Sequence, residues 1–145
     1  MTQWSPQQDQ ALVAVDRWLH DDGAPQVFRL FGYAGTGKTT LARHLATGVD
    51  GDVLFASFTG KAALVMRQRG CRGASTIHSL IYSLDEEAEA TGEPTFKLNP
   101  DSDVASAALV IVDECSMVGE ELARDLLSFG VKVLVLGDPA QLPPV

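Results

Sequence analysis

Between residues 32 and 39 the chain reads Gly32-Tyr33-Ala34-Gly35-Thr36-Gly37-Lys38-Thr39, the spacing G-x-x-x-x-G-K-T. Its chemistry is the cradling of a polyphosphate. Gly35 and Gly37 permit the positive φ that turns consecutive amides toward phosphate oxygens. A helix starting near Lys38 adds the positive end of its dipole. In such a cradle the Lys38 ammonium contacts the β- and γ-phosphates, and the Thr39 hydroxyl is a Mg2+ ligand. Gly32, Ala34, Gly35, Thr36, Gly37, Lys38, Thr39 and Thr40 are therefore the candidate nucleotide contacts. A glycine-rich turn without a ligand is the alternative, and the apolar run before the loop with the helical stretch after it speaks against that.

A second constellation lies later in the chain. Leu109-Val110-Ile111-Val112 is an apolar run that ends in Asp113-Glu114. At the carboxyl end of a strand, Asp113 can hold Mg2+ and Glu114 can polarise an attacking water. An acidic pair after a strand is often a solvated loop start. Joined to the phosphate loop, and following it in the chain, it reads as the other half of an ATP or GTP site. Lys38, Asp113 and Glu114 are the candidate catalytic groups. Cys115, beside the pair, reads as a small buried hydrophobe, and no His/Cys/Asp/Glu spacing suggests zinc.

The elements that must position these groups are legible from periodicity. Ser5-Pro6 ahead of Ala11, Leu12, Val15, Trp18 and Leu19 predicts a capped amphipathic helix that Asp21-Asp22-Gly23-Ala24-Pro25 stops. Val27 to Phe31 predicts a strand, Lys38 to Thr47 a helix, Val53 to Ser57 a strand and Lys61 to Arg69 a helix. Leu109 to Val112 predicts a strand too apolar to have a wet face. Glu120 to Ser128 follows as a helix and Val131 to Leu136 as a further buried strand. The alternation implies an α/β fold with a parallel sheet and right-handed crossovers.

The chain has 145 residues, 46% of them hydrophobic, which suits one domain with a real core. Two cysteines make no disulfide framework, and no apolar run approaches the roughly 20 residues of a membrane span. A cytoplasmic or nucleoid-associated protein with no membrane partner is expected. The net charge of −8 is unevenly spread. Seven acids and one base between Ser83 and Asp103 carry −6 of it, whereas Val53 to Leu84 holds no acid and carries Lys61, Arg67, Arg69 and Arg72. The acidic stretch, punctuated by Gly92, Pro94 and Pro100, reads as a surface excursion from a domain spanning 1–145. The basic stretch offers cations and hydroxyls without opposing acids, as a single-stranded nucleic-acid track requires. A solvated helix end is the alternative for the three arginines.

The remaining segments carry a family resemblance. Ser57-Phe58-Thr59-Gly60-Lys61-Ala62-Ala63, Ala74-Ser75-Thr76-Ile77-His78-Ser79-Leu80-Ile81-Tyr82 and Gly137-Asp138-Pro139-Ala140-Gln141-Leu142-Pro143-Pro144-Val145 stand in order with GYAGTGKTT and VDECSM. Together they resemble the successive motifs of superfamily 1 helicases, most of all the 5′-to-3′ Dda/RecD-like group. The resemblance implies a P-loop NTPase of the RecA-like kind that uses ATP and Mg2+. It implies that Gln8 reads adenine (Gln7 and Gln10 leave the register open), that Gln141 senses the γ-phosphate, and that Asp138 organises that last loop. It further implies that Thr59, Gly60, Lys61, Thr76 and His78 contact single-stranded DNA. A core histidine is the alternative at 78, and Phe58 stands where the group commonly has proline. In that group a strand-separating β-hairpin lies near the position of the acidic excursion, which is short by comparison.

Helicases of this kind hydrolyse ATP between two RecA-like domains, and the second supplies an arginine worth ~10³–10⁵ in rate in related phosphoryl transfer. Nothing here matches that second domain, so the chain reads as an ATP-binding part of a longer motor, with that domain as a missing partner. Four core parallel strands are expected, ordered Val27–Phe31 at one edge, then Val131–Leu136, Leu109–Val112 and Val53–Ser57. An open edge strand invites self-association. Among the alternatives, a GTPase would need an Asn-Lys-x-Asp guanine signature, which is absent from the chain. A kinase would have no use for the Gly137–Val145 motif. A stand-alone ATP or single-stranded DNA module without motor activity also remains.

Overall fold

A computed structural model of the chain describes residues 6–31, 38–84, 96–113 and 120–137. The elements run α1 (Pro6–Leu19), β1 (Val27–Phe31), α2 (Lys38–Thr47), β2 (Val53–Ser57), α3 (Gly60–Gln68), β3 (Ser75–Thr76), α4 (Ile77–Ile81), β4 (Tyr82–Leu84) and β5 (Phe96–Leu98). A 3₁₀ turn at Asp103–Ser106, β6 (Leu109–Asp113), α5 (Glu120–Leu127) and β7 (Lys132–Gly137) complete them.

The main sheet has the order β1-β7-β6-β2-β3, and every neighbouring pair is parallel. The expected order of the four longer strands is found, with β1 at an edge among the described residues. The expected number falls one short, because β3 adds a fifth strand beyond β2. Two residues cannot display a period, and they become a strand only by pairing with Ala56 and Ser57.

Alternation along each strand feeds two cores. Leu109, Ile111, Leu134, Leu136 and Phe55 pack under α1, α2 and α3, with Val15, Trp18, Leu41, Leu45 and Met66. Val110, Val112, Val133 and Ala56 point to the other face and pack with Ile77, Ile81, Val104 and Leu126. Both faces of β6 are covered, which is why it reads as one apolar run.

Contacts distant in sequence tie α1 and α5 to the sheet. Gln26 donates through Nε2 to the carbonyls of Leu127 (2.9 Å) and Val131 (2.8 Å), closing the carboxyl end of α5. Trp18 Nε1 donates to Pro25 O at 2.6 Å. The Lys132 ammonium donates to the carbonyls of Trp18, Leu19 (3.2 Å) and Asp21 (2.8 Å), and stands 5.3 Å from the Trp18 ring centroid. A cation at these carbonyls also complements the negative end of the α1 dipole. Lys132→Met is therefore expected to cost about 1.5–3 kcal/mol, the range for hydrogen bonds to a charged group. Urea unfolding followed by far-UV circular dichroism measures it, and an unchanged midpoint would mean that the ammonium does not hold α1.

The excursion after α4 begins as an antiparallel ribbon in which Tyr82 pairs with Leu98 and Leu84 with Phe96. Its acids Asp85, Glu86, Glu87, Glu89 and Glu93 lie outside the described residues. The returning limb is anchored. Ser102 is buried and donates to Leu80 O at 2.6 Å, its Oγ accepts the Val104 amide at 3.2 Å, and Val104 enters the second core.

Candidate nucleotide and nucleic-acid site

Parallel pairing lines up the carboxyl ends of the strands. Thr76 is in register with Ser57, Ser57 with Asp113, Asp113 with Leu136, and Leu136 with Leu30. At roughly 4.8 Å per strand, Thr76 and Asp113 stand about 10 Å apart, and Asp113 and Leu30 about 10 Å. One row thus runs from the threonine of the nucleic-acid motif, past the half-buried Asp113, to the strand that enters the phosphate loop. β1 leads to α2, which packs in the first core, and β6 precedes α5, which packs in the second. Ligands of open α/β sheets bind in the crevice that such a change of side creates.

Lys38 is the first residue of α2, with Thr39 and Thr40 in its first turn, so the helix begins where the loop chemistry requires. Gln8 lies near the start of α1. Gly32, Ala34, Gly35, Thr36 and Gly37 lie outside the described residues, as do Glu114, Cys115, Asp138 and Gln141. Among the described residues no group of three or more His, Cys, Asp and Glu could hold a metal ion. A carboxylate at Asp113 with the hydroxyl of Thr39 is the hard oxygen donor type that suits Mg2+.

On the other half of the row, Thr59 is the N-cap of α3. Its Oγ1 accepts the Ala62 amide at 3.1 Å, while its carbonyl accepts the hydroxyl of the buried Ser57 at 2.8 Å. Gly60 opens the helix, and Lys61 is exposed in its first turn. Thr76 caps α4 in the same manner, accepting the Ser79 amide at 3.1 Å and donating to Ser79 Oγ at 2.8 Å. Both threonines thus have a folding role whatever else they touch. Arg67 donates to Ala74 O at 2.5 Å and so braces the turn into β3, whereas Arg69 and Arg72 are exposed.

His78 is exposed rather than a core histidine. Its ring meets Tyr82 edge-on at 4.8 Å between centroids and Phe96 at 4.9 Å, and Phe96 is 55% exposed. The ribbon thus brings a second aromatic ring, 18 residues on, beside the histidine. Sequence reasoning missed Tyr82 and Phe96. The alternation Phe96-Lys97-Leu98 was the available signal, hidden in a stretch read for its charge.

The Tyr82 hydroxyl donates to the Asp125 carboxylate on α5. Burial pushes this phenol up to about 12, and the hydrogen bond to Asp125 and the charges of Asp125 and Glu121 add to the rise. A raised phenol stabilises the fold in full below its ordinary value of 10, and that stability is lost as pH rises toward 12. Between those limits the wild-type chain is expected to lose stability more steeply than Tyr82→Phe. Denaturant midpoints at several alkaline pH values measure this, and parallel profiles would mean that the fold does not hold the phenol protonated above its ordinary range.

A parallel sheet in this order, a G-x-x-x-x-G-K-T loop after its edge strand and a carboxylate closing a central strand define a P-loop NTPase domain of the RecA-like kind. The chain belongs to the AAA domain family, whose model matches residues 4–145. It is 38% identical over 122 residues to the ATP-dependent RecD2 DNA helicase of Deinococcus radiodurans, covering 80% of this chain and 16% of that protein. It is 30% identical over 145 residues to protein R530 of Acanthamoeba polyphaga mimivirus, covering 83% of this chain and 29% of that one. Among solved structures it resembles Pif1 helicase from Bacteroides in complex with ADP-AlF3 and ssDNA. There the TM-score is 0.64 at 27% identity, over 100% of this chain and 34% of that one. A Bacteroides Pif1 double mutant gives a TM-score of 0.63 at 26% identity, over 99% of this chain and 34% of that one. The chain therefore spans less than a third of the curated relatives and about a third of the solved ones. These findings bear out the resemblance to superfamily 1 helicases and the nucleotide-using fold. No helix among the described residues is long and apolar enough to cross a membrane.

Proposed function

We propose that the chain is the ATP-binding motor domain of a DNA helicase, coupling Mg-ATP hydrolysis to translocation on single-stranded DNA and duplex unwinding. The register row carries this reading, because it sets a candidate DNA-contacting threonine two strands from a candidate hydrolytic carboxylate. Ser57 stands between the two in that row, so one continuous sheet holds both.

In this reading Gln8 selects adenine, Gly32 to Thr40 hold the phosphates, and Lys38 draws charge from the β/γ bridge. Thr39 and Asp113 would hold Mg2+, which supplies charge neutralisation at the phosphates when bound. Glu114 orients and deprotonates the attacking water, and Gln141 reports the γ-phosphate. Thr59, Gly60 and Lys61 grip backbone phosphates at the amino end of α3, where amides and an exposed ammonium face solvent. Thr76 and His78 continue the track, and the exposed Phe96 ring beside His78 offers a base a stacking surface. A second RecA-like domain supplies the arginine, the setting is cytoplasmic or nucleoid-associated, and the open edge of β1 is where a second copy would add.

The test is ATP turnover by this chain with and without single-stranded DNA. Slow turnover that DNA raises is expected, with Lys61→Ala weakening DNA binding and reducing its salt slope by about one. Lys61 is the cleaner substitution, since Thr59→Ala also removes a cap worth about 0.5–2 kcal/mol. Turnover indifferent to DNA, with DNA binding unchanged by Lys61→Ala, would overturn the motor reading and leave a nucleotide-binding module.

A further inference from the structure

A groove of about 580 Å³ lies between α2 and the turn that follows α3, away from the aromatic cluster. That volume suits a small ligand. Its floor is apolar, made by Val53 and Phe55 of β2. Its walls carry two guanidiniums, Arg43 from α2 and Arg72 from the turn. Among the described residues neither makes a hydrogen bond or ion pair with another side chain. The chain as a whole carries −8, so a groove with two arginines and one lining acid, Asp52, is a local reversal of charge.

Arg43 is also seated. Gly70 has φ +96°, and a Cβ there would come within 2.7 Å of Arg43 Cζ and Nε. Glycine suits the left-handed turn here, and the guanidinium end of the flexible Arg43 side chain lies against it. The same side chain lies close enough to the buried Cys71 for its charge to oppose the upward push of burial on that thiol. An arginine held over an apolar floor, with a second one across the groove, is the arrangement that grips a phosphate by paired N–H donors. Asp52 can only accept, so the ligand must offer donors where it meets that carboxylate.

We propose that this groove binds a sugar phosphate, its phosphate between Arg43 and Arg72 and its hydroxyls toward Asp52. The shared chemistry fits a free sugar phosphate or the sugar-phosphate part of a nucleotide. The groove reaches Thr40, a residue of the ATP reading, at its α2 end, but Gly51, Asp52 and Val53 on its other side lie at the amino end of β2, whereas the register row lies at the carboxyl ends.

Isothermal titration of the Lys38→Ala chain with ribose 5-phosphate tests it, the substitution silencing the phosphate loop. Saturable binding at one site is expected, weakened at least about tenfold by Arg43→Ala or by Arg72→Ala, since each removes a charge-assisted phosphate contact. Ribose without phosphate should not bind. Both arginines are exposed, so the variants are expected to fold, and circular dichroism checks that they do. AMP binding more tightly than ribose 5-phosphate would identify a nucleotide as the source, and equal affinity a free sugar phosphate. No saturable binding, or binding that survives both arginine substitutions, overturns the proposal while leaving the ATP site untouched. Binding to the unsubstituted chain that Lys38→Ala abolishes would also overturn it, by returning the ligand to the phosphate loop.

Discussion

Lys38→Ala is expected to lower ATP turnover by on the order of 10²–10³, the loss that follows removal of one preorganised charge-stabilising donor. Lys38 opens α2, and the strand that precedes the loop ends at Phe31 beside Gly137, one residue beyond the row that contains Asp113. In the proposed site its ammonium would meet charge that grows on the bridging oxygen during transfer, so the loss should fall on the rate as well as on nucleotide affinity. The fold should not suffer, because alanine is at least as good a helix former at the first position of α2. Turnover and ATP affinity measured beside circular dichroism decide the matter. A variant that kept its nucleotide affinity and rate would show that the phosphate site lies elsewhere.

Leu134→Ala is the largest stability loss expected. Leu134 is fully buried at the middle of β7, in register with Phe28 on one side and Ile111 on the other. Truncation removes contacts beneath α1 and α2 and leaves a cavity at the centre of the sheet. Such changes cost about 2–5 kcal/mol. A domain of this size has about 5–15 kcal/mol in all, so the variant should unfold at markedly lower urea. ATP binding should fall only in proportion to the unfolded fraction, which separates this effect from that of Lys38→Ala. A loss below about 1 kcal/mol would mean that the first core re-packs around the gap.

The nucleotide half of the candidate site could be proposed from the sequence because its information is local. A loop that turns amides inward needs glycines at fixed offsets, and a carboxylate at a strand end needs an apolar run before it. The strand order followed from the RecA-like resemblance, and pairing of β1 with β7 and β7 with β6 realises it. The nucleic-acid half was legible only in part. Thr59 and Thr76 were marked as contacts through the family motifs, but their roles as helix caps needed the backbone of α3 and α4. Phe96 was unreadable as a neighbour of His78, since the ribbon that joins them is formed by cross-strand pairing.

The sequence by itself determined the longer helices and strands and the motifs that mark a candidate phosphate loop and an acidic strand end, because each depends on residues within a few positions of one another. The tertiary structure decided which of these face each other. It set Thr76, Ser57 and Asp113 in one row, turned Lys132 onto the carbonyls of α1, set Phe96 edge-on to His78 and opened a cationic groove between Arg43 and Arg72. Those relations come from strand register and from side chains packed across tens of residues. No local spacing encodes them, because the free energy that selects them is released only when both cores close.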